Sequence, residues 1–167
     1  RATGIGKRLK QAAAAPAPQA TDEELFAQLR RWRAAGKRVA LATVVKTWGS
    51  SPRPEGSHLA VEAGGAFVGS VSGGCIEDDL IDRVRQQGIT RTTPDIVSYG
   101  ITADEAHRFG LPCGGTIELA IEPVSAGSRI AELLTRLGRH ELVARHVDLD
   151  TGAVTLATAP AGATHPI

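Results

Sequence analysis

Aromatic residues are scarce in this sequence of 167 residues, which contains only three Phe, two Trp and one Tyr. So few planar side chains argue against a surface that stacks nucleic-acid bases. The formal net charge is +1, so the chain also lacks the broad positive field that nucleic-acid binders use. No apolar run approaches the roughly 20 residues that cross a bilayer. We therefore expect neither a nucleic-acid partner nor a membrane span.

Sulfur-containing residues are rarer still, with two cysteines and no methionine. Cys75 and Cys113 are too few for the disulfide framework of a small secreted protein, so we expect free thiols and a cytoplasmic location. A single disulfide between the two is the alternative. Because the chain begins at Arg1 and contains no methionine, we expect its native start to lie outside this sequence.

Composition divides the chain into three parts. Residues 1–20 contain four basic and no acidic side chains among many Ala and Pro, which predicts a flexible basic arm. Residues 21–159 are predicted to form one compact domain, since a chain of this size buries roughly two thirds of its unfolded surface. Residues 160–167 are interpreted as a tail.

The central part has the pattern of an α/β domain. Thr21 and Glu24 form a capping box, which predicts a helix ending near Gly36. Other patterns predict strands at residues 39–45, 58–62, 66–71, 95–99, 116–122, 141–149 and 153–157, and helices at residues 76–87, 102–109 and 128–137. We expect a mixed sheet flanked by helices. No G-x-G-x-x-G fingerprint follows any of the strands, so a Rossmann domain is not predicted.

Glycine-rich loops at the ends of these elements are the candidate functional sites, because glycine lets backbone amides approach a ligand closely. Ser72, Gly73 and Gly74 precede the helix at residues 76–87, where free amides and the helix dipole favour an anion such as phosphate. A tight turn from strand to helix would need the same glycines, so both interpretations stay open at this point.

Each cysteine adjoins two glycines. Cys75 lies at the start of a predicted helix, which lowers the pKa of a thiol, although the acidic residues at 77–79 oppose that effect. Cys113 precedes Gly114 and Gly115 in a loop. For each cysteine the alternatives are a thiolate nucleophile, a ligand for a soft metal and a small buried apolar residue.

Arg53 lies between two prolines that stiffen its loop, which would prepare the guanidinium for a bidentate contact with phosphate or carboxylate. A solvated loop arginine is the alternative. A zinc site built from the cysteines and His58 or His107 has no recognised spacing.

Three segments, in this order, resemble the XdhC/CoxI family of molybdoenzyme accessory proteins. They are TWGSSPRPEGSHLAV at residues 47–61, GSVSGGCIEDDL at residues 69–80 and GLPCGGTIELAIEP at residues 110–123. The resemblance covers residues 23–124 of the chain. Longer members of the family carry a C-terminal Rossmann domain, whose fingerprint is absent here, so we expect a single compact domain without it.

The resemblance implies a protein that binds molybdenum cofactor (molybdopterin) without catalytic turnover of its own. It would assist sulfuration of the cofactor and its insertion into a molybdenum hydroxylase of the xanthine dehydrogenase or carbon monoxide dehydrogenase type. The implied partners are this client hydroxylase and a cysteine desulfurase. A homodimer is expected because symmetric dimers are the commonest oligomers.

The resemblance also implies which residues hold the cofactor. They are Ser50, Ser51, Arg53, Ser72, Gly73, Gly74, Cys75, Cys113, Gly114 and Gly115. The two cysteines would be the metal ligands, with Cys113 favoured because no run of acidic residues follows it. Two other function classes stay open: a thiol-dependent sulfurtransferase or oxidoreductase that uses Cys75 and Cys113, and an interaction module whose glycine loops are purely structural.

Overall fold

A five-stranded sheet forms the centre of the protein and is built from the most apolar segments of the chain. The computed structural model describes residues 21–49, 53–72, 75–100 and 116–159. The strands of this sheet are β1 (Val39–Trp48), β2 (His58–Glu62), β3 (Phe67–Gly69), β4 (Asp95–Tyr99) and β5 (Thr116–Pro123). They lie in the order β3-β2-β1-β5-β4.

Every described pair of neighbouring strands in this sheet is antiparallel. Consecutive strands that pair fold back beside one another, which needs only a turn or a loop, whereas a parallel pair needs a crossover connection. The predicted α/β class with flanking helices is confirmed, and the pairing is antiparallel where a mixed sheet was predicted. β1 also extends past the predicted end at residue 45 and reaches Trp48.

Three helices flank the sheet within the described residues: α1 (Asp22–Ala34), α2 (Cys75–Gln87) and α3 (Ile130–Gly138). α1 begins at the predicted capping box, in which the Glu24 amide donates to Thr21 Oγ1 at 3.2 Å and the Thr21 amide donates to Glu24 Oε2 at 3.1 Å. A short 3-10 helix (Ala126–Ser128) precedes α3, and a two-stranded ribbon of β6 (Val143–Val147) and β7 (Val154–Thr158) follows it.

The sheet separates two apolar cores, because successive side chains of a strand point to opposite faces. α2 covers one face through Ile76, Leu80 and Ile81. α1 and α3 cover the other face, and β6 joins that core through Val143. We call these the α2 face and the α1/α3 face.

Several predicted segments lie outside the described residues. They are the N-terminal arm at residues 1–20, the helix predicted at residues 102–109 and the tail at residues 160–167. The predicted division of the chain into these parts stays a prediction. Among the residues that the structure describes, no helix is long and apolar enough to cross a membrane.

Candidate functional site

One end of the sheet gathers the connections that the sequence motifs occupy. β1, β3 and β4 finish at this end, and β2 and β5 begin there. Trp48 pairs with Thr116 across β1 and β5, and Tyr99 pairs with Ile117 across β4 and β5. The chain therefore leaves and re-enters the sheet here through residues 49–57 and 100–115, and it leaves β3 here through residues 70–74 toward α2. We call this end the loop end.

The connection between β1 and β2 returns along the second half of β1. Gly56 donates its amide to Val44 O at 2.8 Å, and the Val44 amide donates to Ser57 O at 2.9 Å. The Glu55 carboxylate accepts a hydrogen bond from the Thr47 amide at 3.3 Å. These bonds hold the returning arm of the loop beside β1, so its course is set by the strand.

A closed turn follows Arg53 in this loop. Pro54 O accepts hydrogen bonds from the Ser57 amide at 3.2 Å and from the Ser57 hydroxyl at 2.7 Å. Arg53 itself is partly buried. The expected stiffness of the loop around Arg53 is therefore supported by hydrogen bonds as well as by the adjacent prolines.

The Glu77 carboxylate organises the connection between β3 and α2. Its Oε1 accepts from the Ser70 hydroxyl at 2.9 Å and from the amides of Val71 and Ser72 at 2.7 Å each. Its Oε2 accepts from the Ser72 hydroxyl at 2.5 Å. Glu77 is only 4% exposed. This one side chain ties the segment that precedes the two motif glycines to the first turn of α2.

These donors keep Glu77 ionised. Burial alone would raise the pKa of the Glu77 carboxyl, but the hydrogen bonds from the Ser72 hydroxyl and from backbone amides lower the pKa below its ordinary value. The Ser72 hydroxyl in turn accepts from the Ile76 amide at 3.2 Å. The acidic residues at 77–79 were interpreted from the sequence only by their charge near the helix start; Glu77 also folds back onto the preceding turn.

The connection between β4 and β5 has its two ends joined at the sheet. The Thr116 hydroxyl donates to Gly100 O at 2.9 Å. The Tyr99 hydroxyl donates to Asp79 Oδ2 at 2.6 Å, which links β4 to α2. Burial and this hydrogen bond raise the pKa of Tyr99, so the phenol stays a donor at neutral pH. α2 is thus tied to the loop end at two separate points.

The predicted cofactor-binding residues fall into two groups. Ser72 is buried at the loop end, Arg53 adjoins the closed turn, and Cys75 is the first residue of α2. Outside the described residues lie Ser50, Ser51, Gly73, Gly74, Cys113, Gly114 and Gly115, and with them the side chain of Cys75. The assignment of these residues to a cofactor or a metal therefore stays a prediction.

A second polar cluster, which the sequence did not indicate, borders a cavity of about 270 Å³ on the α1/α3 face. Arg145 donates to both carboxylate oxygens of Glu122, at 2.5 and 3.0 Å, and to Ser128 O at 3.0 Å. His58 Nδ1 lies 2.9 Å from Thr43 Oγ1. Because Glu122 belongs to β5 and Arg145 to β6, the ion pair joins the ribbon to the sheet.

His58 is held neutral in this cluster. Burial lowers the pKa of His58, the charge of Arg145 lowers it further, and the carboxylates of Asp22 and Glu122 oppose the shift. The described residues contain no group of three or more His, Cys, Asp or Glu side chains that could hold a metal ion. The polar contact of His58 is instead its hydrogen bond with Thr43.

A family model describes the part of the chain that contains the first two motifs. The model of the XdhC and CoxI family matches residues 32–100. Residues 32–100 are thus similar to the XdhC and CoxI family. The resemblance carried by the motifs at residues 47–61 and 69–80 is thereby confirmed. Within this XdhC and CoxI segment lie β1 to β4 and α2, so it includes most of the loop end.

Two curated proteins are similar to this chain. One is the molybdenum cofactor insertion chaperone PaoD of Escherichia coli, 30% identical over 114 residues, which are 68% of this chain and 35% of that protein. The other is a probable xanthine dehydrogenase subunit of Bacillus subtilis, 27% identical over 95 residues, which are 56% of this chain and 28% of that protein. The chain thus spans about a third of the length of these relatives.

A solved structure has the same fold. The chain is similar to the crystal structure of a xanthine dehydrogenase from Bacillus halodurans, with a TM-score of 0.58 and 27% sequence identity. The match covers 80% of this chain and 41% of that one. The fold of most of this chain is therefore shared with part of a longer protein.

Proposed function

We propose that this chain binds molybdenum cofactor at the loop end and assists its insertion into a molybdenum hydroxylase. The observation that carries the proposal is the convergence, at one end of the sheet, of the connections that contain the family motifs. The name of the Escherichia coli relative, a molybdenum cofactor insertion chaperone, supports the same cargo.

The chemistry of the cargo suits the residue types at this end. Molybdenum cofactor is a pterin dithiolene that carries a phosphate and an oxo-molybdenum group. A phosphate is bound well by backbone amides in glycine-rich turns and by an arginine such as Arg53. A molybdenum centre that receives a terminal sulfur suits thiolate ligands, for which Cys113 and Cys75 are the candidates.

The residues of the connection between β3 and α2 have different tasks in this proposal. Glu77 would not touch the cargo; through its bonds to Val71 and Ser72 it would hold the segment before Gly73 and Gly74, so that the backbone leading into the two glycines is ordered before binding. The client would be a hydroxylase of the xanthine dehydrogenase or carbon monoxide dehydrogenase type. A cysteine desulfurase as sulfur donor and a homodimeric state are further parts of the proposal.

The decisive experiment is anaerobic incubation of the protein with molybdenum cofactor, followed by repurification and quantification of molybdenum and pterin. We expect retained metal and pterin in the unaltered protein, and less of both in Cys113→Ala and Cys75→Ala. Glu132→Gln, in an exposed ion pair on α3, is the matched control and should retain as much as the unaltered protein. Unchanged retention in both cysteine variants would contradict the proposed metal contact.

The same variants distinguish a carrier from a thiol-dependent enzyme. A carrier that lacks its metal contact should lower the activity of a co-expressed client hydroxylase. An enzyme that uses a thiolate should have an alkylation rate whose pH dependence gives a thiol pKa well below about 8.5. If both thiols have a pKa near about 8.5 and the protein retains the cofactor, the carrier function is favoured.

A further inference from the structure

Trp48 exposes a large aromatic side chain at the loop end. It is the last residue of β1 and pairs with Thr116, the first residue of β5. Its side chain is 43% exposed, whereas Trp32, on α1, packs against the core of the α1/α3 face. An indole is thus accessible to a ligand beside the connections that carry the family motifs.

Lys46 lies on the same face of β1 as Trp48. The pairing of β1 with β5 is irregular between Val44 and Lys46, after which Lys46 pairs with Glu118 and Trp48 with Thr116. The residue between them on β5, Ile117, is buried in the core of the α2 face. Since neighbours on a strand alternate in direction, Lys46 and Trp48 project from the α1/α3 face of the sheet.

The Trp48 indole and the Lys46 ammonium lie side by side on this surface. Lys46 Nζ lies 4.7 Å from the centroid of the Trp48 ring, within the range of a cation–π contact. Glu118 lies opposite Lys46 on β5, yet Lys46 forms no ion pair with a carboxylate among the residues that the structure describes. An exposed indole and an ammonium beside it match a ligand that has a flat ring and an anionic group.

We infer that Trp48 stacks on the ring of a planar heteroaromatic ligand and that Lys46 binds the phosphate that this ligand carries. If the proposed function holds, the ring is the pterin of molybdenum cofactor; a nucleotide offers the same chemistry. Stacking on an aromatic side chain tolerates different rings, so Trp48 and Lys46 would select a class of ligand. The neighbouring connections would determine which compound of that class binds. Neither residue belongs to the predicted cofactor-binding set.

The experiment uses Trp48 as its own reporter. Trp32→Phe leaves Trp48 as the sole tryptophan of the 167-residue chain. The variant is titrated anaerobically with molybdenum cofactor, with AMP and with inorganic phosphate while indole fluorescence is recorded. We expect saturable quenching by a ring-bearing ligand and none by phosphate alone. Quenching by AMP without quenching by molybdenum cofactor would support the surface and assign it to nucleotides.

Substitutions test the contribution of each side chain. Equilibrium dialysis measures these variants, because they lack the reporter: Trp48→Ala should weaken binding of the quenching ligand by at least about fivefold, and Trp48→Phe should restore part of the loss. Lys46→Gln should weaken binding and reduce its dependence on salt. Phe67→Ala is the matched control, because Phe67 is 42% exposed but begins β3 at the opposite end of the sheet. Thermal unfolding of each variant checks that it is folded.

The outcomes separate this inference from the proposed function. If the protein retains molybdenum cofactor but neither quenching nor a loss in Trp48→Ala is seen, the inference is wrong and the proposed function stands. If AMP quenches Trp48 but molybdenum cofactor is not retained, the surface stands and the proposed cargo is wrong. If no ring-bearing ligand quenches Trp48, the inference is overturned.

Discussion

The two faces of the central sheet keep their buried polar groups in different ways. On the α2 face, the Glu77 carboxylate is bonded to residues five to seven positions earlier in the chain. On the α1/α3 face, Glu122 is bonded to Arg145, 23 positions away, and His58 to Thr43, 15 positions away. The first network shapes one turn, whereas the second joins separate elements of the fold.

Because the two networks differ in this way, we expect one to affect the stability of the fold and the other to affect the geometry of the candidate site. Loss of the Glu122–Arg145 pair would remove one tie between the ribbon and the sheet, and it would leave a charge without its partner in the core. Loss of Glu77 would release a segment that precedes the motif glycines while most of the two apolar cores stays packed. We therefore expect the α1/α3 face to govern the free energy of unfolding, and the Glu77 network to govern the order of the loop end.

The largest expected effect comes from breaking the buried ion pair. Arg145→Ala should lower the free energy of unfolding by about 3–5 kcal/mol, because the Glu122 carboxylate would stay buried without a counter-charge. The side chains of Arg145 and Glu122 are only 10% and 9% exposed, which is why solvent cannot replace the lost partner. Urea denaturation followed by circular dichroism measures the loss.

An exposed pair provides the control for that prediction. Arg129 and Glu132 are bonded at 2.6 Å, but their side chains are 36% and 49% exposed. Glu132→Gln should cost less than about 1 kcal/mol, since water screens such pairs. Equal losses in Arg145→Ala and Glu132→Gln would show that the ribbon is not held by the buried pair.

Glu77→Gln should have the next largest effect, about 3 kcal/mol at neutral pH, because up to four donors lose their shared anionic acceptor. The loss should shrink in acid. The folded pKa of Glu77 lies below its ordinary value of 4.5, so its contribution is present above that pH and disappears as the pH falls through the folded pKa. Urea midpoints at pH 7 and pH 4 test this, and a pH-independent loss would contradict it.

Gly69→Ala should lower the free energy of unfolding by about 2 kcal/mol, because Gly69, the last residue of β3, has a φ of +92°. A Cβ there would lie 2.3 Å from His58 O and 2.6 Å from Leu25 Cδ1. Gly36→Ala is the matched control: its φ is +78°, but a Cβ would meet nothing within 4 Å. Similar melting temperatures for the two variants would mean that backbone strain, and not the close approach, sets the cost.

The sequence predicted what depends on neighbours in the chain. The Thr21 capping box, the strands β2 and β3, and the helix after the two glycines follow from local patterns, and the structure contains them. Glu122 has the polar phase of an alternating strand, which predicts solvent exposure, but the structure buries it and bonds it to Arg145 of β6. Nothing near Arg145 identifies its partner, because strand register over long distances is not encoded in a local pattern.

The candidate site, like the fold, was predictable only where local patterns determine it. Glycine spacing and the family motifs located the connections, and the register of the sheet then brought them to one end. Trp48 and Lys46 escaped notice because the predicted strand stopped at residue 45. The face of the sheet from which they project depends on the irregular pairing after Val44. This irregularity reverses the direction of every later side chain relative to simple alternation.

The smallest expected effect is a pH dependence that belongs to the α1/α3 face alone. Burial holds the pKa of His58 below 6.5, so between the two values the unfolded chain binds a proton that the folded protein does not. Stability conferred by neutral His58 is therefore present above about pH 6.5 and lost as the pH falls, by at most about 1.4 kcal/mol per pH unit. His58→Gln, which keeps a polar partner for Thr43, should flatten the urea midpoint between pH 7 and pH 5. Because the Glu77 network should respond only below about pH 4.5, a slope that persists in His58→Gln over pH 7 to 5 would show that the two faces do not titrate separately.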